Sequence, residues 1–110
     1  MARTIKVIVY PVSDVEKAKA FFGTYLETKP YVDSAYYIGY RVEDMEIGLD
    51  PNSKVGPIAY TDVDDIQKSV QELVAAGATI VQEPRDVANG LLIAQLKDGD
   101  GNVVGLREQS

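Results

Sequence analysis

The sequence predicts an α+β fold made of two tandem modules, each running strand, helix, then two or three strands. Three observations carry that expectation. The first fifty residues pass from a β-branched run through an amphipathic helical stripe to short alternating runs. The same succession restarts at "GPIAYTDV". Both halves close on an apolar residue, glycine and leucine: Ile47-Gly48-Leu49 and Val104-Gly105-Leu106.

"TIKVIVYPV" is rich in Ile and Val and alternates weakly, as a strand buried largely on both faces does, and Pro11 marks its end. "SDVEKAKAFFGTYLET" opens with Ser13 and Glu16 at capping-box spacing and sets Val15, Ala18, Phe22, Tyr25 and Leu26 on one helical stripe. After Pro30, "VDSAYYIGYRVED" and "MEIGLDP" read as two or three strands, the last pair turning tightly near Asp44. "PNSKVGP" is a turn-rich link. In the second half "GPIAYTDV" is a strand, and "DDIQKSVQELVAAGA" a helix with Asp64 as N-cap and Gln67 three residues on. Its stripe is Ile66, Val70, Leu73 and Val74, and Gly77 caps its C-terminus. Strands "TIVQEP", "LLIAQLKD" and "VVGLRE" follow, the last two joined by the turn "GDGN".

The repeat is visible residue by residue. "VSDVEKA" from Val12 lies over "VDDIQKS" from Val63, a shift of 51, and aligns a strand end, a cap, an apolar anchor and a lysine in order. The closing triplets match at a shift of 57, from Gly48 to Gly105, so the second module is slightly longer. A chain of 110 residues with 45% apolar content is expected to form a single domain spanning 1–110, with modules near 4–52 and 56–109.

Composition excludes several chemistries. Without cysteine there is no disulfide, thiolate nucleophile or sulfur-ligated metal, and without histidine the commonest general base and metal ligand are missing. A net charge of −6 argues against nucleic acid or anionic membranes as partners. No apolar run reaches the roughly 18 residues that span a bilayer, and the N-terminal stretch lacks a secretory pattern, so a cytoplasmic location is expected.

"VSDVEKAKAFFGTYL" and the Asp-x-Asp-Gly-Asn turn in "DGDGNVVGL" make the chain resemble the vicinal oxygen chelate superfamily, which includes glyoxalase I, extradiol dioxygenases and bleomycin-resistance proteins. The resemblance runs from Ile5 to Glu108 and implies paired βαβββ modules forming a curved mixed sheet around a cleft. In metal-dependent members, ligands stand on the first and last strands of each module. The corresponding positions here are Val7, Gly48, Ile58 and Gly105. A divalent ion needs several oxygen or nitrogen donors at about 2.0–2.2 Å, and none of these side chains has one. The resemblance therefore points to a metal-free branch, with no cofactor and no catalytic residue.

Gly48 and Gly105 admit two readings. Strand glycines mark bulges or close backbone approach; compatibly with that, these two deepen the cleft where a metal stands in relatives, leaving room for a ligand. Period-two alternation adds Val9, Tyr60, Glu46, Asp50, Val103 and Arg107 to the same face, an apolar floor with a polar rim. Tyr60 is then a stacking partner or a core tyrosine, and Arg107 an anion anchor or a member of an ion pair. The tyrosines of "YYIGY" read as packing or a dimer seam, Asp64 and Asp65 as helix caps, and "DGDGN" as a hairpin turn rather than a calcium loop.

The expected function is metal-independent binding of a small molecule, as in bleomycin-resistance proteins, by a homodimer whose ligand is a cationic or neutral aromatic compound. The alternatives are a glyoxalase- or dioxygenase-like lyase or isomerase with a degenerate metal site or a relocated one, for instance Glu46 and Asp50 with Asp62, or with no metal at all, and an interaction subunit whose cleft is closed by side chains.

Overall fold

Alternating apolar positions build the strands, and in each of two units a helical stripe packs on its own strands. The computed structural model describes residues 2–109. Its order is β1 (Ile5–Pro11), α1 (Val15–Leu26), β2 (Val32–Asp33), β3 (Ile38–Val42), β4 (Met45–Asp50), β5 (Ile58–Asp62), α2 (Ile66–Ala75), β6 (Thr79–Ala88), β7 (Leu91–Lys97) and β8 (Val103–Gln109). The fold is α+β with mixed pairing. The chain divides into two compact units, an N-terminal one of residues 6–58 and a C-terminal one of residues 2–5 and 59–109. No helix among the described residues is long and apolar enough to cross a membrane.

In the N-terminal unit the strands lie in the order β2-β3-β4-β1, with β1 parallel to β4 and the other pairs antiparallel. Ile38, Tyr40 and Leu49 are its buried centre. Val15, Ala18, Phe22 and Leu26 of α1 pack on them, together with Tyr10 and Ile47. Each large side chain buried in this way stabilises the fold by about 1.5–3 kcal/mol. The Tyr40 hydroxyl donates to the Lys19 carbonyl at 2.9 Å, which satisfies the one polar atom this core tyrosine carries. Tyr25, expected on the buried stripe, is 68% exposed: it lies at the stripe's flank and stacks on Phe21, ring centroids 6.2 Å apart.

In the C-terminal unit the order is β5-β8-β7-β6, with β5 parallel to β8 and the others antiparallel. Ile66 and Val70 of α2 are buried with Ala94, Leu96 and Leu106, and Leu73 packs against them. Val74, expected in the stripe, is 44% exposed, and Ser69 is buried in its stead, within 3.3 Å of the Arg3 guanidinium. β6 runs past Pro84, where the sequence suggested its end. In this unit β6 pairs only with β7, and the register shift between Gln82 and Arg85 spans Pro84, a residue that cannot donate to a ladder.

Both helices start one residue later than their sequences suggested. Asp14, not Ser13, is the N-cap of α1, its carboxylate accepting from the Lys17 N–H at 3.1 Å. Asp65, not Asp64, caps α2 through the Lys68 N–H, also at 3.1 Å. In each case the residue with extended backbone and a carboxylate three positions before a free N–H takes the role. The two caps keep the 51-residue shift of the repeat. α2 gains a second acceptor from outside the helix: the Glu108 carboxylate takes the Ile66 N–H at 2.7 Å. Gly77, with φ of +110°, ends α2 as expected. Its N–H reaches the Val74 carbonyl, and the Ala78 N–H reaches that of Leu73.

Candidate functional site

The face of the N-terminal sheet turned away from α1 follows from register. Since Tyr40, Ile47 and Leu49 pack with α1, period-two alternation turns Glu46, Gly48 and Asp50 of β4 the other way, with Gly39 and Arg41 of β3. β1 contributes Val7 opposite Glu46 and Val9 opposite Gly48. β3 contributes Gly39 opposite Gly48 and Arg41 opposite Glu46. Val7, Val9, Glu46, Gly48 and Asp50, read from the sequence as face-mates, therefore occupy neighbouring rows of one face.

Two tyrosines lie on the bare backbone of Gly39 and Gly48. A Cβ on Gly48 would overlap the Tyr37 hydroxyl and lie 2.6 Å from the ring carbon that bears it; one on Gly39 would come within 3.2 Å of both Tyr31 and Tyr37. The space over Gly48 is thus filled by the chain's own ring. Close approach, one of the two readings, is what this glycine permits. Tyr37 donates its hydroxyl to one oxygen of Glu46 at 2.5 Å, and Tyr31 donates to the other. A carboxylate accepting from two phenols makes strong, charge-assisted bonds. Burial, then the hydrogen bond to Glu46, pushes the Tyr31 phenol above its ordinary value. The Arg41 guanidinium lies 4.6 Å from the Tyr31 ring centroid, a cation–π contact.

The C-terminal unit offers a second tyrosine–glycine pair. Tyr60 of β5 stands opposite Gly105 of β8, and a Cβ there would overlap two of its ring carbons and lie 2.7 Å from a third. The Tyr60 hydroxyl accepts from the Gln95 side chain at 2.9 Å. Arg107 donates from Nε to Asp62 at 2.8 Å, so of its two readings the ion pair is the one present. Val103 and Arg107 flank Gly105 along β8. Ile58, Tyr60 and Val7 are 1%, 6% and 3% exposed.

A metal does not fit the positions that the resemblance marks for one. Val7, Gly48, Ile58 and Gly105 offer no side-chain donor, and among the described residues no group of three or more Asp or Glu side chains is placed to hold an ion. The carboxylates considered for a relocated site are each engaged nearby: Glu46 by Tyr31 and Tyr37, Asp50 by the Asn52 N–H at 2.8 Å, Asp62 by Arg107. A groove of about 510 Å³ in the N-terminal unit lies along Lys19, Gly23, Thr28, Lys29 and Asp33, and none of the residues predicted for a cleft lines it.

Tyr31, Gly39 and Arg41 were not singled out in the sequence, and Tyr37 and Tyr40 were read as packing or a dimer seam. Tyr40 is core, and Tyr37 belongs to the Glu46 cluster. A signal for Gly39 was present: a two-residue turn at Glu43 and Asp44 forces Gly39 opposite Gly48.

The sequence matches the Glyoxalase/Bleomycin resistance protein/Dioxygenase superfamily over residues 4–106. No curated protein matches it. A hypothetical protein from Bacillus halodurans C-125 superposes with a TM-score of 0.80 at 17% identity, covering 100% of this chain and 96% of its own. A member of the same superfamily from Vibrio splendidus 12B01 gives 0.67 at 15% identity, covering 99% and 100%. The Mn(II)-bound glyoxalase from Novosphingobium aromaticivorans gives 0.73 at 18% identity, covering 98% of this chain and 40% of its own. At these identities the likeness is one of fold, while the family match spans nearly the whole sequence. The chain belongs to the Glyoxalase/Bleomycin resistance protein/Dioxygenase superfamily.

Proposed function

We propose that the protein is a metal-independent small-molecule binder built from two tandem βαβββ modules, of the kind that bleomycin-resistance proteins represent, acting by sequestration in the cytoplasm. The observation that carries this reading is the substitution at the metal positions: Val7, Gly48, Ile58 and Gly105 replace donors with apolar or absent side chains, and tyrosine rings lie over both glycines. Those rings, with the Glu46 carboxylate and the Arg41 guanidinium, are groups that recognise flat organic molecules without Lewis-acid chemistry. The −6 charge favours neutral or cationic compounds over anionic ones.

A thermal-shift panel of cationic, neutral and anionic aromatic compounds, run with and without chelator, tests the proposal. Saturable stabilisation by neutral or cationic members, unchanged by chelator, is expected. Stabilisation by anions alone, or only with added metal, would overturn it. One observation favours a second reading, that of an interaction subunit: the spaces over both glycines are already filled by the chain's own rings. That reading predicts no response to any compound in the panel.

A further inference from the structure

Tyr37 and Tyr60 occupy matching places over their glycines, yet they are held differently. Tyr60 belongs to strand β5 and is 6% exposed. Tyr37 stands outside the strands, at the end of the 34–37 turn, and is only half-buried. Its ring is tied by the hydroxyl bond to Glu46, and its backbone by Ser34, whose Oγ donates to the Tyr37 carbonyl and accepts from the Tyr36 and Tyr37 N–H groups. β2, on the far side of the turn, is two residues long. Tyr37 lies in no strand pair, so swinging its ring outward gives up the bond to Glu46 and leaves the β2–β3 ladder in place, whereas moving Tyr60 means unpairing β5 from β8.

Resting on the binding reading above, we propose that the slot over Gly39 and Gly48 is an aryl-binding site whose occupant in the free chain is Tyr37, and that it takes flat aromatic molecules bearing a hydroxyl or amino donor. The bound ring is itself the guide to ligand chemistry. The slot accepts a benzene ring, its floor is two cross-strand glycines, and Glu46 accepts from the group at the ring's far end. Tyr31, its hydroxyl also on Glu46 and its ring under Arg41, stays as the side wall. A phenol or arylamine that displaces Tyr37 recovers both the ring contact and the bond to the carboxylate; an arene without a donor leaves Glu46 short of one partner. Because the ligand competes with Tyr37, its apparent affinity falls by the fraction of time the slot is open.

The probe is p-cresol, the tyrosine side chain as a free molecule, with toluene as the donor-free control. The proposal predicts saturable p-cresol binding to wild type by calorimetry, and binding tighter by about tenfold or more in Tyr37→Ala, where the competitor is gone. It predicts preference for p-cresol over toluene, reduced in Tyr37→Ala/Glu46→Gln, and loss of binding in Tyr37→Ala/Gly48→Leu. Folded Tyr37→Ala that binds no p-cresol would overturn it. Should Tyr37→Ala not fold, wild type is titrated with p-cresol while the Tyr37 ring resonances are followed by NMR; movement of those resonances supports displacement and their constancy overturns it. The two ideas fail separately. Binding of other small molecules without p-cresol binding removes the slot and keeps the binder, while a required metal alongside p-cresol binding removes the metal-free reading and keeps the slot.

Discussion

Tyr60 lies against Gly105 so closely that no other residue fits beneath it: an added Cβ would overlap two ring carbons. Tyr60 is buried and belongs to a paired strand. Gly105→Ala is therefore expected to destabilise by about 1–3 kcal/mol through overpacking, reduced by the roughly 0.5–1 kcal/mol that alanine recovers over glycine in a strand. Gly48→Ala makes the same overlap with Tyr37, but that ring can swing out with its turn, so the loss should be smaller. Denaturant unfolding of the two variants orders them; a greater loss at Gly48 would contradict the difference in how the rings are held.

The bond from Tyr37 to Glu46 predicts coupling between those positions. In a double-mutant cycle with Tyr37→Phe and Glu46→Gln, an interaction of about 1 kcal/mol is expected. Additive losses in chemical denaturation would show that the short phenol–carboxylate contact contributes nothing.

The "DGDGN" turn predicts an acid-sensitive element. The Asp98 carboxylate accepts from the Asn102 side chain at 2.9 Å and from the Asn102 and Asp100 N–H groups at 2.8 and 2.9 Å. These bonds, the Asn102 side chain foremost, hold its pKa below the ordinary 3.8. A depressed pKa means that the stabilisation is fully present above pH 3.8 and is lost as pH falls through the lower folded value. Asp98→Ala should lower Tm at neutral pH, and the gap to wild type should narrow in more acidic buffer. A gap that does not change with pH would contradict this.

A homodimer is expected on grounds of size and exposed aromatic surface, since Phe21 and Tyr25 are 64% and 68% exposed side by side on α1. Light scattering at micromolar concentration should give a mass near twice the 12.0 kDa of one chain. A mass equal to one chain would refute it.

Local chemistry made the helices legible. Caps, stripes and Gly77 are short-range signals, and even the one-residue error at Ser13 recurred at Asp64, because each precedes a better-placed aspartate. The face shared by Val7, Val9, Glu46 and Gly48 followed from period-two alternation. What fills that face did not. Tyr60 meets Gly105 through a parallel pairing of strands 45 residues apart, and no local pattern fixes such a register. Tyr37 was hidden differently: it lies outside the strand whose alternation would have placed it, so its ring direction depends on the 34–37 turn.

The central claim is that this chain keeps the superfamily's fold while the donor positions Val7, Gly48, Ile58 and Gly105 hold no ion. Its most direct test is elemental analysis of protein purified without chelator and dialysed against metal-free buffer. The account predicts zinc, nickel, iron and manganese each well below one atom per chain. One atom of any of them per chain, surviving dialysis, would contradict it.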